Sequence, residues 1–543
     1  MEAQKTKITF IHPTFPVNPR HKLVLPLSIA QIAAYLMERN KNVEVSILDS
    51  HLNNLKEEEI LEEISKNKPD VIGIGYWTCQ APVVNSLSAK IKKLYPEILI
   101  VHGGIHASFS FKEALEYCDV VVIGEGEKTF AELINAKQNN NGLETLKGIA
   151  FKKDGNVIVT EKQPQIHDLD EIPSPAYELF NIREYIKGNL RQLHIVGGKR
   201  IPIVASRGCP YNCSFCLSPK MWGRSVRYRS VKKVLEELAM LNRLFGFTRF
   251  QFYDDNFLLN RKFIEELCEE IPKLGFEVKW VALSRAAHII QNKDLLAKMK
   301  MAGCIGIEMG LETSDEEVLG KINKEQTMSI MNEAISLQRA AGLKPLYTIM
   351  VLSPGETISS IRKLREYVEN KIPESLTYEF FGSLPFLTLG QFATPYPGTS
   401  FFDNRFKEGI VLMEDFGDLF HHQINFIPNS LLEDSPKISG EITEEILEQC
   451  VKTAETSLFK YFSGNNEYNE NREYMKEIAK KVYSLSNGKN KISEIVNLIS
   501  EEEKLDITKT LRFVIIAIIV FAQRKIITSG IKQEKSIIAN QIK

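Results

Sequence analysis

The chain has little that would tie it to a membrane, a secretory route or a polyanion. Its longest apolar run, residues 513–522, is ten residues long and lies between Arg512 and Arg524. That is half the roughly 20 residues needed to span a bilayer, so a buried helix is the expected reading. The first ten residues, MEAQKTKITF, lack the apolar core of a secretory leader. Neither sign of charge is in excess: 68 Lys and Arg against 69 Asp and Glu leave a formal net charge of −1. Such balance supplies no field to gather nucleic acid. Cysteine is sparse too, and five of the eight (Cys79, Cys118, Cys268, Cys304 and Cys450) are scattered. A disulfide framework is not indicated, and a reducing, cytoplasmic setting is expected. No internal repeat or long low-complexity tract is present.

What is present is alternation. The 543 residues are 43% hydrophobic, enough for roughly two to four domains with real cores. Strands are expected at 8–12, 43–48, 71–76, 98–102 and 120–123, with helices at 28–40, 56–66, 83–95, near 111–117 and from 128 onward. The strands are continuous apolar runs, as when helices cover both faces of a parallel sheet. A Rossmann-like, doubly wound domain over 1–140 follows. Residues 141–195 read as a linker, with a hairpin turning at Asp154-Gly155 and the acidic, Pro-broken DLDEIPSP segment. Strand–helix alternation resumes over 196–400. Six strands are expected, at 201–206, 249–253, 278–283, 305–309, 346–351 and within 383–392. This implies a full or partial (β/α)6 barrel with its active site at the strand C-terminal ends. Residues 401–543 are Glu/Lys-rich and read as a helical domain. The overall class is α/β.

The sharpest motif is Ser206-Arg-Gly-Cys209-Pro-Tyr-Asn-Cys213-Ser-Phe-Cys216, immediately after the first barrel strand. Gly208, Pro210 and Asn212 favour a loop. Zinc usually takes four protein ligands, and no fourth Cys or His follows closely. Three thiolates on a [4Fe–4S] cluster leave one iron open to a small molecule. The segment resembles the signature of the radical SAM family, whose members split S-adenosylmethionine (SAM) at such a cluster to give a 5′-deoxyadenosyl radical. The resemblance implies Cys209, Cys213 and Cys216 as metal ligands and catalytic residues, and Phe215 beside the adenine. Later segments resemble the family's barrel motifs: FYDDNF at 252–257, Ser284-Arg285, GIEMGLET at 306–313, PGET at 354–357 and PYPGT at 395–399. By that resemblance Asp254, Asp255, Ser284, Arg285 and Glu312 would hold the SAM amino, carboxylate and ribose groups.

In the N-terminal domain, His102-Gly103-Gly104-Ile105-His106 follows the fourth strand and Gly124-Glu125-Gly126-Glu127 the fifth. Glycines there let a bulky ligand approach the backbone. The layout resembles the cobalamin-binding fold, with Gly103 and Gly104 bordering the nucleotide tail, Thr78 at a hydroxyl position, and Gly124, Glu125 and Gly126 in the same cofactor pocket. One departure stands out. The Asp-x-His-x-x-Gly motif that brings a histidine to cobalt elsewhere is absent after the first strand, where the chain reads His12-Pro13-Thr14-Phe15. Asp49-Ser50-His51 follows the second strand and reads as a cap and turn. His12, His51, His102 and His106 are read as loop residues rather than ligands, which leaves the lower face of cobalt unassigned.

Together these features resemble the cobalamin-dependent radical SAM enzymes over roughly residues 5–410. The implied cofactors are a [4Fe–4S] cluster, SAM and cobalamin. The implied reaction is methylation of an unactivated carbon through methylcobalamin. The implied partners are a small-molecule or peptide substrate and an electron donor such as flavodoxin or ferredoxin, with no nucleic acid and no membrane span. Radical cyclisation or ring rearrangement is the alternative on the same architecture. An RNA methylthiotransferase would carry a second N-terminal cysteine triad and a basic tail, whereas this chain has only Cys79 and Cys118 there. A cobalamin sensor with a vestigial barrel would not need an intact triad.

Overall fold

The computed structural model describes residues 5–15, 25–187, 200–372, 390–412, 426–457, 468–503, 507–524 and 527–529. Its first sheet contains β1 (Thr6–His12), β2 (Val43–Asp49), β3 (Val71–Gly75), β4 (Leu99–Gly103) and β5 (Val120–Val122). They pair in the order β2-β1-β3-β4-β5, all parallel. Strand order therefore reverses between β1 and β3, and ligands of such sheets sit in the crevice beyond that point. Helices Leu27–Arg39, Glu57–Asn67, Ala81–Leu94 and Gly126–Gln138 bury Ile and Leu on both faces.

The hairpin expected in the linker forms, as β6 (Ile149–Lys153) and β7 (Asn156–Val159), with Gly155 at φ +77° in its turn. It does not hang free. β6 pairs antiparallel with β5 through Val120–Phe151 and Val122–Ile149, so the hairpin extends the first sheet to seven strands. Ile149 and Phe151 are buried on one face of the sheet and Ala150 on the other.

The second sheet comprises β8 (Ile201–Ile203), β11 (Arg249–Phe252), β12 (Lys279–Leu283), β13 (Cys304–Glu312), β14 (Lys344–Val351) and β15 (Gly390–Phe392). They run parallel in the order β15-β14-β13-β12-β11-β8. Among the described residues β15 does not pair with β8, so the barrel is partial. A short ladder of β9 (Ser206–Arg207) with β10 (Arg227–Tyr228) crosses its mouth. The expected strand within 383–392 is β15; residues 383–389 lie outside the described residues. Local signals explain the flanking helices. Ser230 caps Val231–Phe245 by accepting from the Lys233 N–H, and Gly246 ends it at φ +73°. Thr357 and Ser360 close a capping box on Ile358–Lys371.

The C-terminal part is mostly helical: Glu444–Ser457, Tyr468–Leu485, Ile492–Glu503 and Ile507–Gln523. The last carries the long apolar run, and residues 513–522 are wholly buried among the other three and against Ile358–Lys371. Among the described residues no helix is long and apolar enough to cross a membrane.

Candidate active site between the sheets

The C-terminal ends of β3, β4 and β5 face the mouth of the barrel across a cavity of ≈ 200 Å³. One wall is Phe10, Gly73–Gly75, Gly103, Gly104, Gly124 and Gly126. The other is Val204, Ser206, Arg207, Trp222, Tyr253 and Asp255. The glycines make the first wall possible. Gly104 sits at φ +83°, and a Cβ there would lie 2.8 Å from the Tyr76 amide nitrogen. Gly124 has the same φ but nothing within 4 Å, an open concavity that a ligand can fill. A Cβ on Gly126 would meet Ile32 at 2.7 Å, so this glycine serves helix packing.

Two expected contacts of this domain go elsewhere. Thr78 is buried in a single turn after β3 and does not line the cavity. Glu125 is taken by the barrel: its carboxylate accepts from Arg227 Nη1 at 3.1 Å and from Nη2, with Arg207 Nη1 at 3.8 Å. Arg207 in turn pairs with Glu127 and donates to Gln31 Oε1 at 2.9 Å. Glu125 and Glu127 thus clamp the two sheets across the cavity. Burial opposes ionisation of Glu127, but the Arg207 guanidinium wins and holds its carboxyl below the usual range.

The four histidines expected in loops are all buried and structured. His12 ends β1 and bonds Asp49 Oδ1 at 2.9 Å, while the other Asp49 oxygen accepts from Tyr185. Asp49 also caps the turn 50–53, as expected, by accepting from the Leu52 N–H. His102 lies in β4 between Tyr76 Oη at 3.3 Å and Ser88 Oγ at 2.8 Å. Both its ring nitrogens are occupied, and burial pulls its pKa to about 3, so it stays neutral.

Across the cavity, the cysteine loop is pinned from three sides. Cys209 N–H donates to Gly223 O at 3.2 Å, Ser214 N–H to Ile322 O at 3.0 Å, and Phe401 N–H to Ser214 O at 3.0 Å. All three thiols are part-exposed, unlike the other five cysteines, which are buried. Burial pushes the Cys216 thiol up to about 11 and raises Cys209 as well. Holding these sulfurs as thiolates requires a cationic centre beside them. Among the described residues no three His, Cys, Asp or Glu side chains surround a single point as one metal ion would need. A cluster, whose thiolates each bond a different iron, does not make that demand.

Arg285 lies against this loop. Its Nη1 donates to Cys213 Sγ at 3.5 Å, its guanidinium stacks 3.7 Å over the Tyr211 ring, and Nη2 donates to Glu325 O at 3.0 Å and to Lys324 O. Tyr211 Oη meets His288 Nε2 at 2.9 Å. Ser284 Oγ donates to Asn256 Oδ1 at 2.7 Å, and that oxygen also accepts the Arg285 N–H, so Ser284 orients this turn. Asp255 lines the cavity and accepts from Ser218; burial raises its carboxyl. Asp254, by contrast, is 1% exposed and faces β8 and β9, accepting from Ala205 N–H at 3.3 Å and from Ser206 Oγ. Its carboxyl, pushed by burial to about 7, holds strands together. Glu312 sits at φ +60° where the β13–β14 register shifts, and pairs with Lys324 Nζ at 2.6 Å. Lys324 stands 5.7 Å over the Phe215 ring. A non-glycine residue in this region marks stored strain at a strand end. Lys324 belongs to none of the motifs, and Lys321 close by carries the same charge, so the sequence does not single it out.

Family comparisons match both sheet-bearing regions. A profile of the radical SAM superfamily matches residues 203–368, and one of the B12-binding domain matches residues 17–134. A protein named an uncharacterized methyltransferase of Pyrococcus horikoshii is 31% identical over 392 residues, 71% of this chain and 80% of that protein. The anaerobic magnesium-protoporphyrin IX monomethyl ester cyclase of Synechocystis is 28% identical over 77% of this chain and 81% of its own length. In fold, the chain is similar to the cobalamin-dependent S-adenosylmethionine radical enzyme OxsB with aqua-cobalamin and S-adenosylmethionine bound. That match has a TM-score of 0.66 at 16% identity over 96% of this chain and 79% of OxsB. The glycine concavity fits a corrinoid on one wall, and the part-exposed thiols behind the barrel mouth fit a cluster with SAM on the other. The chain belongs to the cobalamin-dependent radical SAM enzymes, with a [4Fe–4S] cluster, SAM and cobalamin as its cofactors.

Proposed function

We propose that this enzyme methylates an unactivated carbon of a small-molecule or peptide substrate held between the two sheets. The observation that carries this reading is the single cavity bordered by Gly103, Gly104 and Gly124 on one side and by Asp255 and Tyr253 at the barrel mouth on the other. The Pyrococcus relative, named a methyltransferase, supports it. When bound, the cluster would provide the electron for SAM cleavage and cobalamin the methyl group. The chain's own part is positional. Cys209, Cys213 and Cys216 hold the cluster, and Arg285 fixes the Cys213 sulfur. Phe215, Asp255, Glu312 and Lys324 shape the SAM subsite; Ser284 sets the Arg285 turn. Gly103, Gly104 and Gly124 cradle the corrinoid, while Glu125 and Glu127 keep the walls in register. The apolar lining, with Phe10, Ile29, Ile32 and Trp222, excludes water that would quench a radical.

The division into a cobalamin domain over 1–140, a linker over 141–195, a barrel over 196–400 and a helical domain over 401–543 belongs to the same reading. So do a cytoplasmic location and a flavodoxin- or ferredoxin-type reductant. The test is anaerobic reconstitution with iron, sulfide and hydroxocobalamin, then mass spectrometry after adding SAM, a reductant and candidate substrates. Retained cobalamin, 5′-deoxyadenosine and a product heavier by one CH2 are expected. A product lacking the added carbon would favour cyclisation, the second reading, which the similarity to the Synechocystis cyclase supports. Release of cobalamin with continued 5′-deoxyadenosine formation would remove methyl transfer from cobalt.

A further inference from the structure

The barrel interior holds two buried charges without a bonded partner among the described residues. Strand β13 reads Gly306-Ile-Glu308-Met-Gly310-Leu-Glu312. Ile307, Met309 and Leu311 are wholly buried in the core outside the barrel, so Gly306, Glu308 and Gly310 face inward. On β8 and beyond, Ile201, Ile203 and Ala205 join that same core while Val204 lines the cavity. Arg200 and Pro202 share the inward face with Val204. Ladder pairing sets Glu308 beside Leu283 and Leu346, one level with the ring that includes Tyr253. Tyr253 is 41% exposed although it stands on that inward face, because its ring opens onto the cavity.

Arg200 is 5% exposed, and its Nε and Nη1 are buried without a hydrogen-bond partner. Among the described residues it forms no ion pair. Glu308 is 8% exposed, and its carboxylate likewise has no bond or ion pair among the described residues. The two feel each other electrostatically but do not touch. Burial drags the Arg200 guanidinium to about 10 and pushes the Glu308 carboxyl up. A guanidinium and a carboxylate buried together would normally close on each other, because an uncompensated buried charge is costly. Held apart on the inward face, whose members Val204 and Tyr253 line the cavity, they mark the place of a ligand with its own charge.

We propose that the barrel interior binds a carboxylate-bearing substrate, with Arg200 pairing its carboxylate and Glu308 accepting a hydrogen bond from a donor on the same molecule. The proposal rests on the barrel being the reaction chamber, and it narrows the substrate class to small organic acids or acidic residues of a peptide.

The test uses the full-length protein, with and without reconstituted cofactors, and two probes of equal shape: 3-phenylpropionate and 3-phenylpropionamide. Wild type is expected to bind the acid at least about tenfold more tightly by calorimetry, since a charged, bidentate pair rejects a neutral isostere. Arg200→Gln should remove that preference while changing SAM affinity less than about twofold. Arg200→Met should raise the ligand-free Tm, which a structural arginine would not do. Equal binding of acid and amide, or a preference that survives Arg200→Gln, overturns the proposal. A tenfold loss of SAM affinity in Arg200→Gln also overturns it, by assigning the guanidinium to the SAM carboxylate. Should Arg200→Gln not fold, Arg200→Lys decides: acid binding weakened at least threefold supports the pairing, and unchanged binding sinks it. Failure of the wider reading shows separately, as absent cluster and corrinoid absorbance.

Discussion

Arg207 and Arg200 lie a few residues apart in the chain and are buried to the same degree, yet they meet opposite fates. At the seam between the sheets, Arg207 is bonded to Glu127 and Gln31 and stacks 5.0 Å from the Trp222 ring. Inside the barrel, Arg200 faces Glu308 with no bond between them. The seam shows a charge used to register two bodies, where each partner cancels the desolvation of the other. The interior shows charge held in reserve, which costs stability and is retained where something else must bind. The same residue types in the same degree of burial therefore carry different information, and the difference lies in their partners.

The largest way to break this division is at the thiols. Cys213→Ala is expected to abolish 5′-deoxyadenosine formation, read by mass spectrometry, while the seam and Tm stay near wild type. Next is the seam itself. Glu127→Ala removes the directly bonded carboxylate of buried Arg207, leaving Glu125 at 3.8 Å, and should cost about 3 kcal/mol in a denaturant titration. Its sign should be opposite to that of Arg200→Met. A smaller contrast separates the two cavity glycines. Gly104→Ala meets both a positive φ and the Tyr76 backbone, and should cost about 1–3 kcal/mol and weaken cobalamin retention. Gly124→Ala has the φ alone, about 1 kcal/mol, with retention read by equilibrium dialysis.

The last contrast is in pH. Glu356 is wholly buried after β14, accepts the Leu352 N–H, and has its carboxyl pushed by burial from 4.5 to about 8. Its folded pKa is raised, so its contribution is fully present below pH about 4.5 and is lost as pH rises through about 8. Stability should decline over that window. Glu356→Gln should flatten the decline, as Tm measured against pH would show.

Much of this architecture was legible because parallel strands buried on both faces are continuous apolar runs. All five N-terminal strands and all six barrel strands fall where those runs predict. The cysteine loop was legible because spacing and loop residues are local properties. Partnership is not local. Glu125 reads as a cofactor contact in Gly-Glu-Gly-Glu, but its partners Arg207 and Arg227 lie far along the chain. Asp254 and Asp255 are adjacent and alike, and only the direction each faces separates a strand tie from a cavity wall. Glu308 was visible in the alternation of GIEMGLE, although the motif reading took only Glu312. Nothing in the sequence marks Arg200, because what distinguishes it is a bond it does not make.

The buried helix Ile507–Gln523 also sets a timetable for synthesis. It covers Ile358–Lys371, a helix flanking the barrel, yet it emerges from the ribosome long after that helix. At about 5–20 residues per second, the interval between them is on the order of 10–30 s. For that time the side of Ile358–Lys371 that meets it has no cover from its eventual neighbour. The nascent barrel must be guarded against aggregation before it can take up any cofactor.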